Sequence, residues 1–483
     1  MGKYQVYIGL EVHVELATES KLFCGCRTKF GAAPNTQTCP VCLGLPGVLP
    51  VINRKAVEYT IITALALNSR INRKCRFARK NYYYPDLPKN YQISQYEEPL
   101  ATGGWVEIKV NGKVKKIGIE RIHLEEDAGK LIHGESEEDK EFSFVDYNRA
   151  GIPLMEIVSR PEINSPEEAY EYLMNLRRIL RYLGVSDCNM EEGSLRCDAN
   201  ISLGEIKGKM GTKTELKNMN SFKELREGLR AEVERQSELL DRGERVTQET
   251  RFWDPKKKRT FSMRGKEEAH DYRYFPEPDL PPLLIDSNWI EKLKVAIPEL
   301  PQFRFERFIR QYGLPEYDAS VLTESRDIAD YFEECVKFFP KPKMVSNWIM
   351  TDFMRLLKQE KTAKIKVSPA SIAELLTEIE KGTLSITMAK EVMEEMFKTG
   401  KGPSQIIEEK GLKQISDEES LDRVAEEVIR ENPKAVKDWQ KGKTQAMKFL
   451  VGQLMRKTKG KANPQLANRV IEKKLKNLRE ASS

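Results

Sequence analysis

The first residues of the chain alternate strictly between apolar and polar side chains. The apolar positions are Val6, Ile8, Leu10, Val12, Val14 and Leu16, and the positions between them include Gly9, Glu11, His13 and Glu15. Neighbouring side chains of a β-strand point to opposite faces, so this period of two predicts a strand with one buried and one polar face.

A second strand signal lies near residues 105–125. Two apolar stretches, Val106–Val110 and Val114–Leu124, flank the dipeptide Asn111-Gly112. This dipeptide favours the two-residue turn of a β-hairpin because both residues tolerate a positive φ. The pattern therefore predicts an antiparallel pair of strands.

Residues 165–184 follow a different period, which is typical of a helix. Ser165, Pro166 and Glu168 form a capping signature at its start, and Gly184 follows its end. The apolar positions between them recur every three or four residues, at Ala169, Leu173, Leu176, Leu180 and Leu183. The spacing predicts an amphipathic helix whose apolar face packs on the core.

The proline-rich segment Pro276–Pro282 separates this mixed region from a helical one. Its prolines lack backbone donors and forbid a helix, so the segment is either a domain edge or a stiff strap. We expect no strands beyond it. Ser368 and Ser416 are candidate N-caps of two helices, and a basic pair of helices is predicted at about 444–457 and 465–479.

These patterns predict an α+β protein with three parts. Residues 1–292 form a domain built on an antiparallel sheet, residues 293–407 form a helical domain, and residues 408–483 form a small helical tail. The 483 residues are 40% hydrophobic and 32% charged, and no run of about 18 apolar residues exists to cross a membrane. The strand pattern leaves no room for a secretion signal, so we expect a cytoplasmic protein.

Positive charge is concentrated at the C-terminal end. Residues 433–483 contain fourteen Lys or Arg and three acids, a formal charge of +11 in a chain whose total is +6, so the remainder carries −5. Such a segment favours binding to nucleic acid because phosphate neutralisation supplies most non-specific affinity. Lys457, Lys459 and Lys461 are the candidate contacts, and a merely solvated helix face is the alternative.

Four cysteines form the sharpest local motif. Cys24 and Cys26 form one close pair, and Cys39 and Cys42 form a second pair after twelve intervening residues. Four thiolates at this spacing can close a tetrahedron around Zn²⁺ and leave no open position, which indicates a structural site. Buried free thiols or a disulfide are the alternatives, and a reducing cytosol disfavours the disulfide.

Carboxylates and an imidazole form a weaker candidate site. Glu11 and His13 project from one face of the first strand, and Glu125, Glu126 and Asp127 follow the strand that ends at Leu124. Together they offer the hard ligands that Mg²⁺ prefers. Alternation favours Glu125 over Glu126 as a ligand, and a solvated strand face with ordinary acids is the alternative.

Familiar nucleotide and nucleophile motifs are absent from the sequence. Lys441-Gly442-Lys443-Thr444 resembles the end of a Walker sequence, but Lys437 occupies the position of the required first glycine. No Ser or Cys is framed as a nucleophile.

Two segments combine aromatic and basic residues, as surfaces that stack on unpaired bases do. They are Lys80–Asp86 and His270–Pro276. Ordinary packing of aromatics beside proline is the alternative. The candidate RNA contacts are Tyr82, Tyr83, Tyr84, Tyr272 and Arg273.

Longer stretches of the chain resemble the B subunit of aspartyl/glutamyl-tRNA amidotransferases. The resemblance extends from the first strand to Gly460–Gln465 in the tail, and its motifs are Ile8–Leu16, Lys80–Pro88, Leu124–Lys130, Met190–Asn200, Glu215–Ser221 and Asp271–Asp279. It implies a cradle domain related to glutamine synthetase, followed by a helical domain and a tail. It also implies that the cysteine motif is structural, since some members of the family lack it.

The resemblance implies a reaction and its partners. ATP converts the side-chain carboxylate of misacylated Glu-tRNA(Gln) or Asp-tRNA(Asn) into an acyl phosphate, which ammonia attacks. The ammonia comes from glutamine through an amidase A subunit, and a small C subunit completes a heterotrimer. Family position adds five candidates to Glu11, His13, Glu125 and Glu126 as catalytic residues, namely Arg149, Glu191, Asp198, Asn200 and Lys217.

A non-catalytic, zinc-containing RNA-binding adaptor is the competing hypothesis. It accounts for the cysteine motif and the basic tail, but it does not need the acidic residues.

Overall fold

The computed structural model describes residues 3–134, 141–206, 208–265, 271–359, 366–412, 418–458 and 461–480. The chain divides into two compact units, Met1–Pro301 and Gln302–Ser483. The division into three parts stays a prediction. Four residues named in the sequence analysis, His270, Ser416, Lys459 and Gly460, lie outside the described residues.

All strands among the described residues belong to the first unit. They are β1 (Tyr4–Glu15), β2 (Arg70–Ile71), β3 (Lys74–Cys75), β4 (Ala78–Asn81), β5 (Tyr91–Ser94), β6 (Ala101–Thr102), β7 (Trp105–Val110), β8 (Lys113–Glu126), β9 (Lys130–His133), β10 (Ser143–Asp146), β11 (Pro153–Ser159), β12 (Leu195–Glu205), β13 (Thr214–Lys217), β14 (Glu249–Asp254), β15 (Arg259–Gly265), β16 (Phe275–Pro276) and β17 (Leu283–Leu284).

The described part of the first unit also contains four helices, α1 (Arg54–Ala66), α2 (Pro166–Leu183), α3 (Phe222–Asp241) and α4 (Ser287–Val295). The helices of the second unit are α5 (Pro301–Tyr312), α6 (Glu316–Leu322), α7 (Arg326–Phe338), α8 (Pro342–Trp348), α9 (Met354–Gln359), α10 (Pro369–Glu380), α11 (Ile386–Thr399), α12 (Pro403–Lys410), α13 (Glu418–Glu431), α14 (Pro433–Gln440), α15 (Thr444–Lys457) and α16 (Pro464–Glu480). A π-helical turn, Ile349–Phe353, joins α8 to α9.

The centre of the first unit is a ten-stranded, mainly antiparallel sheet. Its strand order is β15-β14-β13-β12-β1-β11-β8-β6-β2, with β7 also paired to β8. Only β13 and β14 run parallel among its described pairs. The mixed sheet followed by helices confirms the predicted α+β class.

The predicted first strand lies in the middle of this sheet. Ile8, Leu10, Val12 and Val14 of β1 are completely buried, whereas Glu11 and His13 on the other face are partly exposed. The strand pairs with β12 on one side and β11 on the other, so its polar face is flanked by those of two neighbours.

The predicted hairpin and helix are also confirmed. Asn111 and Gly112 have φ values of 50° and 76°, the positive values that a two-residue turn between β7 and β8 requires. Ser165 caps α2 by accepting a hydrogen bond from the Glu168 amide, and Gly184 ends it in the left-handed conformation.

The proline-rich segment is a strap within the first unit. Phe275–Pro276 pairs with β4, and the Glu277 amide donates to the Phe77 carbonyl. The buried Glu277 carboxylate accepts two bonds from Arg79, at 2.7 and 2.9 Å. The expectation of no strand beyond the segment is wrong. One short strand, Leu283–Leu284, follows it and pairs with β3.

The sequence patterns did not reveal α1. Its buried side includes Ala56, Val57, Ile61 and Ala64, but the opposite, partly buried side carries the apolar Ile62 and Leu65. A helix that is apolar on most sides has no amphipathic period to detect.

The second unit contains two separate apolar cores. One joins residues of α5 to α12, and the other joins residues of α13, α15 and α16 from Leu421 to Leu475. Ser368 caps α10 as predicted, and the basic helices α15 and α16 pack against α13. No helix in the described ranges is long and apolar enough to cross a membrane.

Candidate active site and cysteine cluster

A row of polar side chains crosses one face of the central sheet. His13 of β1 lies opposite Glu156 of β11, and Glu156 lies opposite His123 of β8. On the other side of β1, His13 lies opposite Arg196 of β12. Side chains paired across antiparallel strands project to the same face, so the sheet gathers residues that are distant in the sequence.

Three of the side chains on this face form a close cluster. His13 Nε2 lies 3.7 Å from Glu125 Oε1 and 3.7 Å from Glu156 Oε2. One potential ligand atom from each residue lies within 4.8 Å of the others. Octahedral Mg²⁺ with bonds of about 2.1 Å needs ligand separations of about 3 to 4 Å. The two carboxylates and the imidazole therefore fit a divalent cation.

Buried charge gives this cluster its electrostatic character. Burial opposes ionisation of Glu156 and Glu125, but the adjacent histidines outweigh it and lower the pKa of both carboxyls. Burial likewise opposes the charge on His123, but Glu156 and Glu125 raise the pKa of this imidazole to about 9. Both carboxylates are consequently anionic at neutral pH.

Glu11 lies on the same face of β1 as His13, two residues earlier in the strand. Asn200 donates a hydrogen bond of 2.9 Å to Glu11 Oε1. Burial raises the pKa of Glu11, and the negative charges of Glu156, Glu215 and Asp198 raise it further. Glu11 is not one of the three closely spaced potential ligands among the described residues, so its role as a ligand stays a prediction.

Lys217 brings a positive charge to the neighbouring strand. Its Nζ donates to Asp198 Oδ2 at 2.7 Å and lies 3.3 Å from Glu215 Oε1. Both acids raise the pKa of Lys217 against the effect of burial. The sheet thus places a fixed ammonium group on Asp198, the residue opposite Glu11 in the register of β1 and β12.

Two arginines converge on Asp127 at the end of β8. Arg149 and Arg196 each donate a bond of 2.8 Å to Asp127 Oδ2, and their charges hold the pKa of this buried carboxyl well below its usual range. Arg149 Nε lies 3.4 Å from Glu15 Oε1. Both guanidinium groups remain partly exposed, which leaves them able to contact an anion.

Glu126 and Glu191 have different surroundings. Glu126 is buried and faces away from the cluster, where it forms an ion pair with Lys89 and accepts a bond of 2.9 Å from the Ile93 amide. Glu191 is exposed in the turn before β12, and its described hydrogen bond joins its own amide to Asn189. The described contacts do not bring either carboxylate into the cluster.

The two aromatic segments meet beside the cluster. Strand β4 pairs with β16, and the Asn81 amide donates to the Tyr272 carbonyl. The rings of Tyr82 and Tyr272 pack edge to face at 6.0 Å, with Lys80 over both. Burial raises the pKa of Tyr82, and the negative charge of Glu125 raises it further.

The remaining aromatic candidates are more exposed. Tyr83 and Tyr84 have exposed fractions of 79% and 53%, and Arg273 is also exposed. They lie at the surface of the aromatic segment, where a large ligand can reach them.

A cavity opens next to Glu11. Its volume is about 520 Å³, and its lining includes Arg121, Asn200, Lys213 and Gln248. Small-molecule sites commonly have volumes of about 300–1,000 Å³. The cavity is large enough for a nucleotide and carries basic side chains that can meet phosphates.

The four cysteines also come together. Their sulfur atoms lie within 4.8 Å of one another, and Cys39 Sγ and Cys42 Sγ are 4.0 Å apart. This separation is far longer than a disulfide bond, whereas a tetrahedron with metal–sulfur bonds of about 2.3 Å requires about 3.8 Å. The cluster can therefore hold a metal ion and is compatible with zinc.

The surroundings of Cys42 favour a thiolate, whereas burial and neighbouring thiols raise the pKa of Cys26. A hydrogen bond with Cys24 lowers the pKa of Cys42 to about 4, and the Nζ atom of buried Lys21 lies 3.6 Å from Cys42 Sγ. The following turn fits closely against the domain. Gly44 has a φ of 66°, and a Cβ there would lie 2.2 Å from Lys89 Cγ.

Two of the candidate lysines of the tail are engaged in contacts within the protein. Lys457 pairs with Glu427 and Glu431 at 2.7 Å each, and Lys461 donates to the Gly411 carbonyl. Acidic residues of α13 thus neutralise part of the positive charge that the sequence count assigned to the tail.

Sequence reasoning missed Glu156, His123 and Arg196. Glu156 is a lone acid in the apolar stretch Leu154–Val158, and such a charge needs a partner or a ligand. His123 has the same parity as Glu125 on β8, so alternation alone could have placed both on one face.

Comparison with known proteins gives matches along most of the chain. Residues 6–291 match a family model described as the GatB/GatE catalytic domain, and residues 330–475 match one described as the GatB domain.

Relatives of nearly equal length match as well, and each is named as the B subunit of an aspartyl/glutamyl-tRNA(Asn/Gln) amidotransferase. The protein of Carboxydothermus hydrogenoformans is 55% identical over 482 residues, which cover 99% of this chain and 100% of the relative. That of Thermodesulfovibrio yellowstonii is 56% identical over 477 residues, 98% of this chain and 100% of the relative.

Proposed function

The chain belongs to the family of amidotransferase B subunits, and from this membership we propose that it amidates misacylated Glu-tRNA(Gln), Asp-tRNA(Asn) or both in an ATP-dependent reaction. The observation that carries the proposal is the cluster of His13, Glu125 and Glu156 on the sheet face beside a 520 Å³ cavity. Ammonia comes from a partner amidase in a cytoplasmic heterotrimer with a small third subunit.

The chemistry requires activation of a poor electrophile. A side-chain carboxylate oxygen attacks the γ-phosphorus of ATP and ADP leaves, which gives an acyl phosphate. Ammonia then attacks the acyl carbon, inorganic phosphate leaves, and the ammonium-derived proton passes to solvent. Such phosphoryl transfer depends almost entirely on positioning and on neutralisation of charge.

The residues of the cluster supply that positioning. His13, Glu125 and Glu156 would hold Mg²⁺, which neutralises phosphate charge when it is bound. Their fixed spacing on three adjacent strands keeps the donors in place without reorganisation. Glu11 extends the anionic surface toward the cavity, where the nucleotide would lie.

Basic side chains near the cluster can bind the phosphates and the substrate carboxylate. Lys217 lies beside Glu215 and Asp198, and Lys213 lines the cavity, so both can approach phosphates. Arg149 and Arg196 are held by Asp127 with their guanidinium groups partly exposed. They can orient the developing acyl phosphate or its precursor carboxylate.

The aromatic segments and the tail would hold the RNA. The rings of Tyr82 and Tyr272 pack edge to face with Lys80 over both, so an unpaired base near the charged end of tRNA can stack there. The basic helices α14 to α16 offer charge for the phosphate backbone. Shape and charge of the RNA thus add to recognition of the amino acid.

Turnover of ATP by the purified complex tests this function. The expected result is slow hydrolysis alone and strong stimulation by misacylated tRNA, with amidated tRNA as the product. Uncharged tRNA is the control for simple RNA binding. A complex that binds tRNA but shows no stimulated ATP turnover would instead support the adaptor hypothesis.

Zinc in the cysteine cluster is a separate proposal with its own prediction. Freshly purified protein should contain about one equivalent of zinc, because four sulfurs close a tetrahedral site. Cys39→Ser should lose most of it and lower the melting temperature before it affects chemistry. Elemental analysis and a thermal unfolding scan measure both effects.

Cys75→Ala is the matched control, since Cys75 is buried far from this cluster in the sequence and forms no part of it. It should retain zinc. Wild-type protein that contains only a small fraction of an equivalent would overturn the zinc proposal.

A further inference from the structure

We propose that His123, helped by Ser94, acts as a positioning residue that fixes the two carboxylates of the cation cluster without binding the cation itself. This inference rests on the proposed function, because it concerns the same cluster. It assigns a role to a buried histidine that contacts both carboxylates.

The distances place His123 in contact with both carboxylates. Its Nε2 lies 3.1 Å from Glu156 Oε2, which also faces His13 at 3.7 Å, and 3.6 Å from Glu125 Oε2. Ser94 Oγ donates to the same Glu125 oxygen at 3.0 Å. Glu125 Oε1 is left to face His13. Each oxygen of Glu125 therefore has a separate role.

Burial distinguishes the two histidines. The His13 side chain is 21% exposed, whereas that of His123 is 4% exposed. His13 thus faces the space where a ligand arrives, and His123 is enclosed by the sheet. A group with this placement can orient carboxylates but cannot easily contribute to substrate contact.

The hydrogen-bonding pattern argues against a purely structural histidine. His123 Nδ1 is buried and has no hydrogen-bond partner among the described residues. Only Nε2 is engaged, and it points at the two carboxylates. The ring therefore directs its one engaged nitrogen to the cluster rather than cross-linking the core.

Physical precedent gives the expected size of the effect. Ligands of a metal are oriented by outer partners, and loss of such a partner commonly lowers metal affinity by about 10- to 100-fold. Without the Nε2–H donor, Glu156 and Glu125 can rotate, and the separations that fit the cation are no longer fixed. The loss should therefore appear first in cation binding.

Two isosteric substitutions separate hydrogen bonding from packing. The Gln side-chain amide reaches the position of His Nε2, whereas the Asn amide reaches only that of Nδ1. His123→Asn should weaken binding of Mn²⁺, used alone as a spectroscopic probe, by about 10- to 100-fold. His123→Gln should stay within about threefold of wild type.

The measurement is electron paramagnetic resonance titration of Mn²⁺ with the purified complex, without nucleotide or tRNA. Thermal unfolding of each variant reports on folding independently. If His123→Asn cannot be isolated folded, Ser94→Ala removes the second donor to Glu125 Oε2 and should weaken Mn²⁺ binding in the same direction.

Each result decides the matter. Wild-type affinity in folded His123→Asn overturns the positioning role, as does an equal loss in both Asn and Gln variants. If Asn cannot be isolated, unchanged binding in Ser94→Ala overturns it. If the wild-type complex binds no Mn²⁺ and shows no tRNA-stimulated ATP turnover, the proposed function is overturned as well. If the wild-type complex turns over ATP normally but the variants bind Mn²⁺ with wild-type affinity, only the positioning role of His123 is overturned.

Discussion

Replacing Glu125 with Gln is expected to lower the rate of tRNA amidation by about 10³-fold, because a loss of about 4 kcal/mol in stabilisation of the transferring phosphate corresponds to that factor. Glu125 is buried, and the histidines beside it lower its pKa, so the substitution removes a full negative charge from the cluster. Gln preserves the volume of the side chain. Single-turnover assays with misacylated tRNA and ATP measure the effect.

The partner's glutaminase provides an internal control in the same experiment. It should persist in the Glu125→Gln complex, because ammonia release does not use this sheet. Glu107→Gln is the matched variant, since Glu107 is an exposed acid on β7 of the same sheet and its loss should leave amidation unchanged. The same assay tests Glu11→Gln, for which a similar loss is expected. Normal amidation by Glu125→Gln would refute the assignment of the cluster.

Removal of the tail is expected to weaken binding of tRNA by about 10- to 100-fold at low salt and to flatten its salt dependence. The slope of log affinity against log salt falls by about 0.7 to 0.9 for each phosphate that the protein no longer neutralises. The structure favours truncation after residue 412 rather than after 407. The first apolar core of the second unit includes Ile406 and Ile407, and Leu412 packs against it. The tail core begins at Leu421, so truncation after residue 412 leaves the first core intact.

Filter-binding titrations at several salt concentrations measure this effect, and retained glutaminase activity shows that the truncated complex is intact. A charge variant separates the phosphate contacts from the bulk of the tail. The double variant Lys434→Gln/Lys441→Gln should lower the slope of log affinity against log salt by less than the truncation does, because it leaves the tail core in place. Unchanged tRNA affinity after truncation would assign RNA recognition to the first unit alone.

The candidate site shows where sequence reasoning succeeds and where it stops. Alternation correctly placed Glu11 and His13 on the polar face of β1 and separated Glu125 from Glu126. It did not connect His13 to Glu156, because strand pairing and register are set by contacts between distant segments. The same limit concealed the contact of Tyr82 with Tyr272, which depends on pairing of β4 with β16.

Charge in the tail shows the same distinction. Residues 433–483 carry a formal charge of +11, but the sequence cannot show that Glu427 and Glu431 of α13 fold against Lys457. Net charge is additive along a chain, whereas its field at a surface depends on which groups lie together.

The sequence by itself determined the local features of this protein. The period of β1, the turn at Asn111-Gly112, the caps of α2 and the spacing of the four cysteines act over a few residues, where backbone geometry and neighbouring side chains decide the outcome. Only the tertiary structure decided that β1 lies between β11 and β12, that Glu156 completes the cluster beside His123, and that the proline segment is a strap. Those outcomes depend on which distant apolar faces bury one another, and the resulting register carries the polar faces into contact.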